Sequence, residues 1–407
     1  MAPEASARPS KSYDPRNWLL GVGTFAVGTD NLVIAGILPT LADDLHVGLD
    51  DAGLLVTAYA LSYGLGSPIL AALTGRIKRE RTVIWAIGAF AFANLLCAVA
   101  PNYTILVIAR IAAGLAAAAY TPGAYALAIA LSSPERRGRA LSTVLFGISM
   151  STVFGVPLGT VLGHRLGWHA TFLFIAALSA IAMVTLRVAR MKSPDTSLGS
   201  ATGVAARLAP LTRPTVLLAL LPNFIWGVGG MSVFTFISPI LGAHFDRDTI
   251  VALLLVNGFG GLVGGFVGGR VADRYGSVRP MTVSFTIAAV NFALWGLLAN
   301  FGIDVGLIPT AMIVFVWAMA GWSLGAPQQS RIVRLDPANA SVTLAINNAT
   351  FYLGSSIGAA VGGALLAYMP PIDLTFFGTA AALVAMGALR LSMVLNRRRA
   401  IASPPKA

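Results

Sequence analysis

Twelve apolar runs of roughly 19 to 30 residues take up most of this chain, and that feature constrains its fold more than any other. At about 1.5 Å of rise per residue, a helix of that length crosses a hydrocarbon core about 30 Å thick. The runs fall at 18–40, 51–74, 82–100, 103–131, 139–163, 168–189, 214–241, 249–269, 280–300, 305–329, 338–368 and 372–394. With 56% hydrophobic and 11% charged residues, the 407-residue chain is too apolar for a soluble globular protein. The expected fold is an all-α integral membrane protein.

The charges sort by face. With the N-terminus placed in the cytoplasm, 25 of the 28 Lys and Arg lie on the inner side, Arg165 and Arg247 lie outside, and Arg110 is within the membrane. The opposite face carries Asp43, Asp44, Asp50, Asp51, Asp246 and Asp248. That asymmetry sets the orientation, and an even number of spans returns the C-terminus to the cytoplasm. The net charge of +12 therefore reports topology and not a nucleic-acid surface. Basic clusters such as Arg397 to Arg399 are expected at anionic lipid heads. No cleavable signal is read at the start; the first span is expected to act as the targeting element. The single cysteine, Cys97, rules out a disulfide framework.

The longest polar interval, 190–213, contains Lys192, Pro194, Asp195, Arg207, Arg213 and Pro214, and divides the runs six and six. The expected organisation is a disordered cytoplasmic segment at 1–17, a first six-helix bundle at 18–189, a cytoplasmic linker at 190–213, a second bundle at 214–394 and a cytoplasmic tail at 395–407. The halves repeat at an offset of about 200 residues: Gly36 to Pro39 matches Ile237 to Pro239, Pro134 and Leu141 match Pro337 and Leu344, and Gly155 and Gly159 match Gly358 and Gly362. Two pseudo-symmetric bundles with a central cavity between them are a recurrent transporter architecture.

Asp30 and Arg110 are the two charged side chains placed deep inside the expected spans, about the same distance from one face. A charge in hydrocarbon is costly, and such residues mark ion pathways or sites. Desolvation favours the protonated carboxyl and a neighbouring arginine favours the ionised one. Asp30 is therefore a candidate proton site. The other readings are a hydrogen-bonded structural aspartate and a partner for cationic cargo, and for Arg110 an arginine that bonds carbonyl groups between helices.

Between spans 8 and 9 the chain reads Gly269-Arg-Val-Ala-Asp273-Arg274-Tyr-Gly276-Ser-Val-Arg279, which resembles the cytoplasmic signature of the major facilitator superfamily. A carboxylate on such a turn can face a helix N-terminus and be held by arginines, latching the halves. The first-half copy, Gly75-Arg76-Ile-Lys78-Arg79-Glu80-Arg81, has Gly75 where the aspartate is expected, so Arg76 and Arg79 are the latch candidates there. In span 4, Arg110 followed by Gly114 resembles the family's arginine motif; in span 5, Gly155, Pro157 and Gly159 resemble its antiporter motif. Gly114, Gly155 and Gly159 are expected to allow close helix contact, and Pro157 to add a bend. Asp30 nine residues before Pro39 resembles the span-1 motif of drug/proton antiporters. Ala35 to Pro39, Gly138 to Ser142, Gly155 to Pro157 with Gly167-Trp168, and Asn347-Asn348 before Gly354 carry a closer resemblance to the chloramphenicol and sugar efflux branch of the twelve-span family.

The resemblance implies a monomeric inner-membrane exporter with both termini cytoplasmic, coupled to protons through Asp30 and Arg110, moving small amphipathic molecules by alternating access. No cofactor and no enzymatic activity are expected, the proton gradient being the drive. The alternatives are a proton-independent uniporter or importer of the same fold, or a non-transporting sensor. Cargo contacts are expected at mid-membrane. In the first half these are Asn31, Tyr59, Tyr63, Tyr125 and Met150; in the second they are Asn223, Trp226, Phe234, Asn257 and Gln328, then Asn347, Asn348 and Phe351, with Trp322 and Tyr352 nearby. A lining of aromatics, methionine and amides suits weakly polar cargo. His46, His164, His169 and His244 have no metal-ligand spacing, and no nucleotide-binding loop is present, so neither a metal nor ATP is expected.

Overall fold

A computed structural model describes residues 16–133, 136–191, 209–303, 305–337 and 340–402. Twelve helices among them are long and apolar enough to cross a membrane: Asn17–Leu45, Leu49–Leu73, Arg79–Ala98, Tyr103–Ala130, Arg137–Leu166, Trp168–Val188, Pro214–Thr235, Arg247–Tyr275, Val278–Asn300, Leu307–Leu335, Val342–Leu366 and Pro371–Leu395, spans 1 to 12 below. No strand occurs among the described residues. Helices satisfy their own backbone polar groups where no water is available to do so, which is why apolar runs of this length take that form. Their ends are set by local chemistry. The side chains of Asn102 and Asp246 accept the N–H groups of Ile105 and Thr249 at 3.0 Å each, opening spans 4 and 8. Gly276, at φ +76°, closes span 8 in a conformation few other residues tolerate.

The helix contacts obey the repeat read from the sequence. In the first half span 1 packs on spans 5 and 6, span 2 on span 4, and span 3 on spans 4 and 6. In the second, span 7 packs on spans 11 and 12, span 8 on span 10, and span 9 on spans 10 and 12. Each pair is the other shifted by six helices. The contacts between halves follow the same rule, span 2 against span 11 and span 8 against span 5.

Spans 1 and 5 show how small residues make such contacts. A Cβ added at Gly147, Gly155 or Gly159 would fall on Gly21, Thr29 or Val33 across the seam, and one at Gly28 or Gly36 would fall on Ser151 or Thr160. Dispersion between closely approaching backbones holds helices together where lipid removes the hydrophobic drive. Pro157 lacks the N–H that the carbonyl of Val153 would otherwise receive. The chain answers with a π turn at Ser151–Gly155 in place of a simple bend, and Thr152 and Ser151 donate their hydroxyls to Ser149 and Ile148 carbonyls, each at 2.7 Å.

Boundaries differ from the sequence reading at several spans: span 8 runs on to Tyr275, not 269, and span 7 breaks at Phe236 before a short helix Ile237–Gly242. Span 10 runs on to Leu335, not 329, because its last turns carry Arg331 and Arg334, whose polarity ended the apolar run early. The last helix continues to Ala402 through the expected tail, where Arg397 to Arg399 cost nothing to helix formation. Asn17, placed with the disordered terminus, opens span 1 and lies buried with its amide on Ser132 Oγ at 3.4 Å. Most of the expected linker, 192–208, and the N-terminal 1–15 lie outside the described residues, as do Pro134 and residues 403–407.

Candidate functional site

Asp30 on span 1 and Arg110 on span 4 meet, Nη1 to Oδ1, at 2.6 Å, and both side chains are 0% exposed. The contact uses one guanidinium donor and one carboxylate oxygen. The guanidinium lies over the ring of Tyr59 from span 2 at 4.3 Å, with Phe172 from span 6 at 5.8 Å. Asn94 of span 3 completes the surroundings: it lies against Asp30, and its amide nitrogen donates to Phe90 O at 3.1 Å. Asp30 Oδ2, Arg110 Nε and Nη2, Asn94 Oδ1 and the Tyr59 hydroxyl are buried without a hydrogen-bond partner. A buried pair held by one bond, with the remaining polar atoms unmatched, repays little of its desolvation cost. Loss of one partner would leave a bare charge in a sealed interior, and the carboxylate is the member of the pair that can answer by taking up a proton.

Apart from Tyr59, which lies under Arg110, and Trp226, the expected cargo residues fall into three groups. Tyr63 of span 2 stacks on Tyr352 of span 11 with ring centroids 3.8 Å apart, Asn348 donates to its hydroxyl at 3.3 Å, and Phe351 stands edge-on to Tyr352 at 6.1 Å. This group joins the two halves. Tyr125 of span 4 lies near it beside Tyr63. Just below, Thr57 Oγ1 donates to Ser356 O at 3.2 Å while Ser356 Oγ donates to Thr57 O at 3.1 Å. Phe234 and Asn257 belong to the second group. Together with Leu32, Thr152, Val156, Leu254 and Trp322 they line a small cavity between the halves. Asn31 is the neighbour of Leu32, half-buried with Oδ1 unpaired, and Met150 is half-buried just before Thr152.

The third group lies inside the second half. Asn223 donates to Asn347 O at 3.1 Å, and Gln328 donates to Asn347 Oδ1 at 3.0 Å and to Ala219 O at 2.9 Å. Buried amides need partners, and here the Asn223 amide finds the Asn347 backbone carbonyl while the Asn347 side chain finds Gln328. Trp226 belongs with none of these. Its ring is stacked on Phe292 of span 9 at 6.4 Å and tilted to Phe285 at 6.1 Å, and it lies against Gly321 of span 10, within the packed core of the second half. Helical spacing places Trp226 on span 7 but does not say which neighbour its face meets.

The latch residues behave differently from a carboxylate held between halves. Asp273 is exposed on the last turn of span 8, and Arg274 lies over the adjoining Tyr275 ring at 5.3 Å. Gly269 has open space around it, and Gly276 serves the helix end. Arg79 reaches Ala126 O of span 4 at 3.4 Å, within its own half. The side chain of Arg76 lies outside the described residues. The seams that do join the halves run from mid-span to the acidic end: the span 2 and span 11 contacts, Ser238 Oγ to Gly36 O at 3.3 Å, and an exposed ion pair of Arg165 with Asp248 at 3.6 Å.

Asn94 and Arg331 are among the buried polar residues that escaped the sequence reading. Asn94 carries no charge to mark it, and only its position inside an apolar run could have drawn notice. Arg331 is 7% exposed within span 10, contrary to the expectation that Asp30 and Arg110 alone are buried charges. It donates to Ser392 Oγ at 2.5 Å and Ala219 O at 3.2 Å. Nearby, Arg213 pairs with buried Asp336 at 3.0 Å, and Arg334 donates to Ser277.

Twelve spans, two halves with matching contacts and a charged pair inside one of them define a multi-pass membrane transporter. The family model of the Major Facilitator Superfamily matches residues 20–359, and the chain belongs to that superfamily, whose members are transporters and not enzymes. It is similar to the uncharacterized MFS-type transporter YbcL of Bacillus subtilis, 31% identical over 91% of this chain and 93% of the relative. It is also similar to the inner membrane transport protein YdhP of Escherichia coli, 30% identical over 91% and 95%. A chloramphenicol resistance protein of Streptomyces lividans is 32% identical over 85% and 86%.

Proposed function

We propose that the chain is a proton-coupled exporter of small amphipathic organic molecules. It sits in the inner membrane with both termini cytoplasmic, and works as a monomer without a bound cofactor. The observation that carries this reading is the Asp30–Arg110 pair, sealed among spans 1 to 4 and 6 and held by one hydrogen bond. A carboxylate that keeps its guanidinium keeps its charge; one that loses it in a dry interior takes a proton. Rocking of the halves would switch Asp30 between those conditions and so tie proton release to cargo exchange.

The cargo route passes between the halves, along Tyr63, Asn348, Phe351 and Tyr352 and the cavity lined by Phe234, Asn257 and Trp322, with Asn31 and Met150 beside it. These groups offer planar contacts and neutral hydrogen-bond partners, which suit weakly polar, ring-containing cargo. Asp30 is 0% exposed and is not among the residues lining that cavity, which favours conformational coupling over competition for one carboxylate. Asp273, Arg274, Arg76 and Arg79 act at the basic end in another conformation, where approach of the halves would bring their charges together.

The test is transport in proteoliposomes of a panel of neutral aromatic compounds beginning with chloramphenicol, with and without an imposed pH gradient. Accumulation that follows the gradient and collapses with a protonophore supports the reading. Downhill movement indifferent to the gradient would replace it with a uniporter.

A further inference from the structure

The aromatic ring that carries the Arg110 guanidinium belongs to a residue the sequence had assigned to cargo. Tyr59 is 0% exposed, its ring centre is 4.3 Å from the guanidinium carbon, and its hydroxyl has no partner. Span 4 approaches span 2 at that residue: a Cβ added at Gly114, one turn beyond Arg110, would fall on the Tyr59 carbonyl oxygen. The arginine and glycine of span 4 thus grip the same residue, one at its ring and the other at its backbone. Tyr59 is also placed on the helix that meets the other half. One turn on, Tyr63 stacks on Tyr352, and half a turn back Thr57 exchanges hydrogen bonds with Ser356.

We propose that Tyr59 is a positioning residue for proton coupling, holding the Arg110 guanidinium on Asp30 and passing movement of the span 2 and span 11 seam to that pair. The inference rests on the proton reading of Asp30 given above. The guanidinium spends one donor on Asp30 Oδ1 and leaves Nε and Nη2 unpaired, so hydrogen bonds alone do not fix its plane. The ring face does, because a cation is attracted to the π cloud and excluded from apolar walls. Movement of span 2 against span 4 shifts that face under the arginine and weakens its hold on the carboxylate. The titratable and charged groups around the cluster are Asp30 on span 1, Tyr63 on span 2, Cys97 on span 3, Arg110 on span 4 and Tyr352 on span 11.

Infrared titration of the purified protein reads the Asp30 carboxyl directly, without knowledge of the cargo, as the protonated-carboxyl band that disappears in Asp30→Asn. Replacement of the ring in Tyr59→Leu moves the midpoint of that band upward by about one pH unit, since a guanidinium no longer held stabilises the ionised form less. Tyr59→Met is the second variant, similar in bulk and without a ring face. Tyr59→Phe keeps the wild-type midpoint, and in an Arg110→Gln background Tyr59→Leu adds no shift. A purely structural role would move the midpoint in that background as well, and that outcome overturns the proposal. So does an unshifted Tyr59→Leu, or a Tyr59→Phe that shifts as far as Tyr59→Leu. If no titrating band is lost in Asp30→Asn, the proton reading itself fails and takes this inference with it.

Discussion

Each half of the molecule buries an arginine, and the partners given to the two arginines differ. Arg110 faces a carboxylate on the neighbouring helix, with five polar atoms around the pair left unmatched. Arg331 faces a serine hydroxyl and a backbone carbonyl, inside a net of amides in which Asn223, Gln328 and Asn347 mostly satisfy one another. The first arrangement contains a group able to gain and lose a proton and is poorly saturated. The second contains no carboxylate in its bonding and is well tied. The repeat gives the two halves the same helix contacts, so the contrast lies in side chains and not in architecture. On the proton-coupled function proposed above, the first half handles the proton and the second supplies cohesion.

The largest effect that would sharpen this contrast is on stability. Asp30→Ala leaves Arg110 charged in a sealed interior and is expected to cost about 3–5 kcal/mol in detergent unfolding experiments, much of it recovered in Asp30→Leu with Arg110→Met. Equal stability of the single and double variants would mean that water already reaches the pair. Next comes Arg331→Met, which removes the donor to Ser392 Oγ and leaves Ala219 O with Gln328 alone, and is expected to cost about 1–3 kcal/mol. Transport by that variant should keep the wild-type pH profile; a displaced profile would erase the division between halves. Thr57→Val removes one bond of the reciprocal pair with Ser356 and should favour the open acidic end by roughly 3- to 10-fold. The readout is the labelling rate of a cysteine introduced as Thr235→Cys. The smallest effect belongs to Arg165→Gln, since the pair with Asp248 is more than two-thirds exposed on both sides and solvent leaves it about 0–1 kcal/mol at most.

The contrast was half legible in the sequence. Asp30 and Arg110 stood out because ionised groups are so rare in apolar runs, and equal depth allowed them to be partners without requiring it. Arg331 was hidden by the same reasoning: a hydropathy boundary stops at a basic residue, whereas the helix continues and buries it among Ser392, Ala219 and Gln328. Trp226 shows a second reason. Composition tells that a residue is in the membrane, but the rotation of span 7 about its own axis decides whether it faces cargo or span 9, and packing of distant residues such as Phe285 and Phe292 sets that rotation. The π turn beside Pro157 depends on backbone bonding that residue identity leaves open. At the basic end, the Gly269 to Arg279 motif was plain to read, yet Asp273 stands exposed, because a motif names residues and a conformation decides what they touch.

The central claim is that Asp30 is the group whose proton is exchanged when cargo binds. Its most direct test is proton release from lightly buffered detergent-solubilised protein on addition of the panel compounds, wild type beside Asp30→Asn. The account predicts release from the wild type at a compound that the protein transports, and none from Asp30→Asn that still binds the same compound. Equal release from both proteins would contradict it, and would move the proton to a group outside the Asp30–Arg110 pair.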